Sequence, residues 1–210
     1  MGELIVLTEQ LADRARPRAR GRPAFFFDLA CPFSYLAAEQ VERLLGEVEW
    51  VPTGGPLLAQ LDGADLCARA QARAAELRLP LIWPERFPGP ARGALRAAVR
   101  ATQLGFGARF AIAAARLAFC GGFDLDDPEV LAEAAAASGF RLHECLEAAG
   151  AQALDAPLDA TARGLIARGV ARLPAVRVGH GFFAGEAVLS QAAAVSRAAA
   201  GDGFSAFPVG

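Results

Sequence analysis

Apolar and polar positions alternate in two different rhythms along this chain. From Pro23 the run "AFFFDL" is short, apolar and aromatic, as a buried strand requires. "CPFSYLAAEQVERLLG" follows with helical spacing, which puts Tyr35, Leu36, Val41, Leu44 and Leu45 on one side. Pro32 suits the first turn of that helix, where a missing N–H costs nothing, and Gly46 suits its C-terminal end. "EVEWVPT" reads as a second strand, so the segment has the size and order of a βαβ unit.

The strand rhythm then stops. Residues 54–168 are alanine-rich and helical apart from the loop "LPLIWPERFPGP". Helices are expected over about 64–78, 91–104, 107–120, 127–138, 140–149 and 157–168. The fourth has a full set of boundary signals, with Asp127 as cap, Pro128 in the first turn and Gly139 beyond the end. Strands return in "LPAVRVGHGFFAG", a hairpin turning at Gly179-His180-Gly181, and "EAVLSQAAAVSRAAA" supplies a last helix. The order is β-α-β, a helical block, then β-β-α. The expected class is α/β, with segments 23–53 and 169–200 forming one discontinuous core and 54–168 inserted as helices. A basic extension, 1–22, precedes it and a tail, 201–210, follows.

Composition narrows the function classes. Of 210 residues, 54% are hydrophobic and 21% charged, which supports a sizeable core. A net charge of −2 recruits neither nucleic acid nor an anionic membrane. Apolar helices such as "FAIAAARLAF" are interrupted by Arg116 and too short to span a bilayer, and no segment has the form of a signal peptide, so a cytoplasmic location is expected. The four cysteines, Cys31, Cys67, Cys120 and Cys145, form no C-x-x-C pair, and with His143 and His180 they offer no metal-ligand spacing, so no metal is expected. Neither histidine is placed by sequence to act as a base.

The chemistry gathers at Cys31. It follows a strand and begins a helix, where the helix dipole and free N–H groups favour an anion. A cysteine there is expected to have a lowered pKa and raised nucleophilicity. Ser34, one turn on, is able to hydrogen-bond to the sulfur but has none of its own, so any sulfur partner comes from outside the chain. Cys67, Cys120 and Cys145, inside helices, read as packing residues. Asp28, three residues earlier, either accepts a proton and tunes the thiol or satisfies backbone N–H groups at the strand end.

"FFFDLACPFSYLA", the helical insertion and "ARLPAVRV" together resemble the DsbA-like branch of the thioredoxin superfamily. Within it the chain is similar to 2-hydroxychromene-2-carboxylate isomerases and kappa-class glutathione transferases, which carry a D-x-x-S-P-Y-S-Y/W-L motif. The matching positions are Asp28, Cys31, Pro32, Phe33, Ser34, Tyr35 and Leu36, with cysteine where those isomerases have serine. The resemblance implies a thioredoxin-like fold and a site that handles glutathione with Cys31 and Ser34 as its catalytic pair. It implies a cis bond before Pro174, with the backbone of Leu173 pairing with glutathione as an added strand. It places Pro32, Phe33, Pro52 and Thr53 along the pocket. It sets Gly185 and Glu186 where kappa-class enzymes use Ser-Asp to hold the γ-glutamyl end. Val51 replaces the usual arginine and Gly185 the usual hydroxyl.

Two activities are therefore expected. One is a thiol-dependent oxidoreductase passing through a mixed disulfide at Cys31. The other is a glutathione-dependent isomerase or transferase, with a small hydrophobic or aromatic second substrate held between the core and the helical block; Trp83 and Phe87 either cover that substrate or, as aromatics in such loops more often do, serve as packing residues. A homodimer is implied by the resemblance alone. The alternative is a thioredoxin-like scaffold that has lost turnover and holds a ligand or partner, for which Val51 and Gly185 speak.

Overall fold

The computed structural model describes residues 21–54 and 63–201. The basic extension lies almost wholly outside them, as does most of the tail.

Strand β1 (Ala24–Phe27) is the centre of the architecture. It runs parallel to β2 (Glu49–Pro52) and antiparallel to β3 (Ala175–Val178), which pairs antiparallel with β4 (Gly181–Ala184), giving the order β2-β1-β3-β4. Side chains alternate across this sheet. Phe25 and Phe27 point to one face and meet Trp50 edge-on, with ring centroids 5.1 and 5.7 Å away. Phe26 points to the other face, opposite Ala175. Phe25 is fully buried, and burial of such a ring contributes roughly 1.5–3 kcal/mol.

Helices α1 (Pro32–Ala38) and α2 (Val41–Leu45) connect β1 to β2. The apolar periodicity predicts one helix here, and the structure has two. At the junction Gln40 takes φ −129°, and its N–H turns to the Ala37 carbonyl at 3.0 Å. The Leu36 carbonyl would otherwise lose its helical partner, and the Gln40 side-chain amide donates to it at 3.3 Å. Neighbouring Glu39 is drawn across to Arg116 by two hydrogen bonds of 2.6 and 2.7 Å. Tertiary pairing thus accompanies a break that local spacing does not show.

The helical block comprises α3 (Gly63–Leu77), α4 (Arg92–Gln103), α5 (Gly107–Phe119), α6 (Pro128–Ser138), α7 (Leu142–Gly150) and α8 (Asp155–Ile166). These agree with the expected helices within about two residues. Asp127 caps α6 by accepting from the Glu129 N–H at 2.8 Å, and Gly139 ends it in the left-handed region at φ 75°. Alanines are the contact residues. Ala94, Ala97, Ala98 and Ala101 on α4 and Ala111, Ala114, Ala115 and Ala118 on α5 are buried, letting backbones approach closely. Helix α5 packs on α1, and α4 reaches β2, so the block is seated against the β1–α1–β2 unit. The chain closes with α9 (Val188–Gly201), packed on β3 and α2. Among the described residues no helix is long and apolar enough to cross a membrane.

Candidate active site

The turn after β1 is built by Asp28. Its carboxylate accepts from the Ala30 N–H at 2.8 Å, and its carbonyl accepts from the Cys31 N–H at 3.1 Å. Cys31 then stands as the N-cap of α1 in extended conformation, and its carbonyl receives the Ser34 and Tyr35 N–H groups at 3.0 and 3.2 Å. Pro32 occupies the first helical position, as its missing donor favours. The Ser34 hydroxyl accepts from the Asp28 N–H at 3.2 Å, and the same side chain acts to lower the Cys31 pKa.

Across from this turn lies the start of β3. The Leu173–Pro174 bond is cis, and the Cys31 Sγ is 3.8 Å from the Leu173 carbonyl oxygen. The Pro174 carbonyl accepts the Gly185 N–H at 2.9 Å, so Gly185, at φ 91°, is tied to the same loop. On the other side, the Thr53 N–H donates to the Phe27 carbonyl at 2.8 Å, extending the β2 ladder to the residue before Asp28. Pro52 and Thr53 are buried there, and the Thr53 hydroxyl donates to the Val51 carbonyl at 3.3 Å.

Glu186 is two residues ahead of α9 and is ion-paired with Arg69 of α3, which also holds Asp65 at 3.0 Å. A groove of about 340 Å³ runs along α1 between α3 and α9, lined by Phe33, Glu186, Arg73 and Arg197 among others. The structure therefore brings Cys31, Ser34, Leu173, Pro174 and Gly185 to one place and sets Phe33 and Glu186 on the groove beside it. Sequence alone does not single out Arg69, because its partner is 117 residues away.

One expectation is corrected, and it concerns the thiol. Cys31 is only 1% exposed, and burial pushes its pKa up to about 11. The Ser34 side chain and the Ser34 and Phe33 N–H groups pull it down, but the cost of a buried anion outweighs them. The charge of Asp28 adds to the rise. Asp28 itself is buried and pushed up to about 7, opposed by the Ala30 N–H and by the charge of Arg92. Asp28 thus serves the backbone turn and also faces the thiol as a titratable neighbour.

Of the two readings of Trp83 and Phe87, the geometry favours packing. They pack on each other at 4.7 Å and edge-on to Phe119, which stacks on Tyr35. Phe87 and Phe119 border a cavity of about 20 Å³ beside Leu29 and Ala30, room for about one water. These aromatics are packing residues.

Comparison with known proteins agrees with this frame. No curated protein is similar enough in sequence to match. A 2-hydroxychromene-2-carboxylate isomerase structure superposes with a TM-score of 0.71 at 17% identity, covering 86% of this chain and 97% of that one. A probable DsbA oxidoreductase from Streptomyces coelicolor gives 0.70 at 18% identity, covering 90% and 92%. The cytosolic disulfide reductase DsbM from Pseudomonas aeruginosa, in a structure with glutathione, gives 0.66 at 17% identity, covering 85% and 98%. Likeness at these identities speaks for the fold, and the neighbours include both oxidoreductases and an isomerase. Residues 24–195 match the DSBA-like thioredoxin domain, and the chain belongs to that family.

Proposed function

We propose that this protein is a thiol-disulfide oxidoreductase that uses Cys31 as its single redox sulfur and glutathione as the external thiol. The observation that carries the reading is the placement of one sulfur, Cys31, between the Ser34 hydroxyl and the Leu173 carbonyl ahead of a cis proline. Ser34 stands where a second cysteine would resolve an adduct, so the resolving sulfur is supplied from solution.

The reaction balances with two external partners. Cys31 gives its proton to the Asp28 carboxylate or to water, and its sulfur attacks one sulfur of a disulfide. The S–S bond breaks, a mixed disulfide forms at Cys31, and the leaving thiolate takes up a proton. A second thiol then attacks the mixed disulfide, frees Cys31 and leaves as the new disulfide. The backbone of Leu173 aligns the peptide part of glutathione as an added strand. Phe33, Pro52 and Thr53 border it, and the Gly185–Glu186 corner faces its γ-glutamyl end.

A second reading is favoured by the burial of the thiol. With its pKa near 11, Cys31 is protonated at neutral pH and able to donate a hydrogen bond. In that role it replaces the serine of the isomerases, stabilising a glutathione thiolate that adds reversibly to a conjugated carbonyl substrate.

The test is intact-mass and peptide-mapping analysis after incubation with oxidised glutathione at neutral pH, on the wild type and on Cys31→Ser. One glutathione confined to Cys31 and absent from C31S supports the oxidoreductase. A folded wild type with no adduct at Cys31 overturns it. Binding of reduced glutathione by that unmodified protein would then favour the isomerase reading over an inactive scaffold.

A further inference from the structure

The sheet has a second face, which the Cys31 chemistry does not use. Phe25 and Phe27 belong to the core with Tyr35 and Leu36, whereas Phe26 packs on the other side against a smaller cluster containing Leu165 and Ala175. The strand registers assign more residues to that side. Phe26 lies opposite Ala175, Ala24 opposite Arg177, and Arg177 opposite Phe182. Phe26, Arg177 and Phe182 therefore project from the same face. Helix α8 covers part of it with Leu165 and Ala162. On α8, Thr161, Gly164 and Leu165 are spaced 3 and 4 residues from the first, a single helical stripe, and Arg168 follows just beyond the helix end.

Between that stripe and the β3–β4 hairpin is a cleft of about 420 Å³. This lies within the size range of small-molecule sites. Its charged and titratable wall residues are Arg168, Arg177 and His180, and among the described residues no carboxylate lines it. Arg168 is already held in place. Its Nη1 donates to the Gly164 carbonyl at 2.7 Å, and its guanidinium lies over the Phe182 ring at 5.9 Å. Arg177 is loosely engaged. Its partner Glu49 is 3.5 Å away, and both side chains are well exposed. The Phe26 and Phe182 rings, 6.1 Å apart, form the apolar part of the wall.

We propose that this cleft is a second ligand site, which binds a small aromatic carboxylate. The two guanidinium groups recognise the carboxylate, for which their planar forks are suited. The phenyl rings take the flat body in offset or edge contact. The ligand carboxylate offers Arg177 a shorter partner than Glu49 does. An uncharged aromatic finds the same rings but leaves the arginines unserved. This site lies on the opposite side of the sheet from α1.

The experiment is titration calorimetry of the whole protein with 2-naphthoate and its uncharged counterpart 2-naphthamide. Saturable 2-naphthoate binding with Kd below about 1 mM is expected, with the amide at least about tenfold weaker. Arg168→Gln and Arg177→Gln together should weaken 2-naphthoate by about tenfold or more, whereas R168K with R177K should retain part of it. Arg73→Gln, on the groove beside α1, should leave binding unchanged. If the double glutamine variant fails to fold by thermal melting, R168Q alone serves, because Arg168 follows α8 on the surface. Three results would overturn the proposal: equal binding of acid and amide, binding indifferent to both arginines, or no saturable heat up to about 5 mM.

Discussion

Replacing Asp28 with asparagine should stabilise the protein, and by an amount that depends on pH. The carboxyl is buried and holds its proton to about pH 7 in the folded chain, against an ordinary value of 3.8. Below pH 3.8 both folded and unfolded chains carry the proton, and ionisation has no effect on stability. Between 3.8 and about 7 the unfolded chain releases the proton while the folded chain retains it. Stability therefore falls as pH rises through this window and levels off above it. The full difference is roughly 4 kcal/mol, at about 1.36 kcal/mol for each pH interval of one. The asparagine keeps a side-chain oxygen for the Ala30 N–H and removes the ionisation. D28N should match the wild type near pH 4 apart from a constant offset. It should gain on it progressively to pH 7.5, reaching a melting temperature about 8–16 °C higher in relative terms for a chain of this size. The assay is a series of urea and thermal unfolding curves on both proteins from pH 4 to 8. A difference that stays flat across the window would refute the claim that Asp28 is buried against its own charge.

Side chains that tie the helical block together give two more expected outcomes. The Tyr35 hydroxyl donates to the Pro80 carbonyl at 2.9 Å and lies 3.0 Å from the Cys120 sulfur. Y35F should lower stability by about 1–2 kcal/mol in urea unfolding and should speed alkylation of Cys120, and unchanged values on both would show that water replaces the hydroxyl. Asp155 takes both forks of Arg96 at 2.7 Å and one bond from Arg92 at 2.8 Å, which lowers its pKa to about 2, mainly through Arg96. Its stabilisation is present above 3.8 and is lost as pH falls towards 2, so D155N should be less stable by about 1 kcal/mol at pH 7, with the gap closing in melts taken down to pH 2.5.

The parts of this protein legible from its residue order are those set by local rules. Apolar spacing locates β1, the helical block and the hairpin, and the Asp127, Pro128 and Gly139 signals bound α6. Cys31 is visible because a strand, a proline and a helix meet at it. What escapes depends on residues far apart in sequence. The break at Gln40 accompanies a pairing of Glu39 with Arg116, 77 residues on. The Arg69–Glu186 ion pair joins two segments with no shared local pattern. The direction of the Cys31 pKa is hidden for the same reason. The helix start is a local feature that lowers it, whereas burial is a property of the whole assembled chain and here has the larger effect.

The contact between the Cys31 sulfur and the Leu173 carbonyl joins positions 142 residues apart. During synthesis the thiol therefore emerges long before the strand that encloses it. Until β3 arrives, β1 has an open edge, the sulfur faces solvent, and the burial that holds its proton does not exist. A nascent or partly unfolded chain thus presents an ordinary cysteine, and the frame of Leu173 and Pro174 around its sulfur is completed only when the last hairpin docks. The newborn protein and the mature one therefore offer the same sulfur in two different settings.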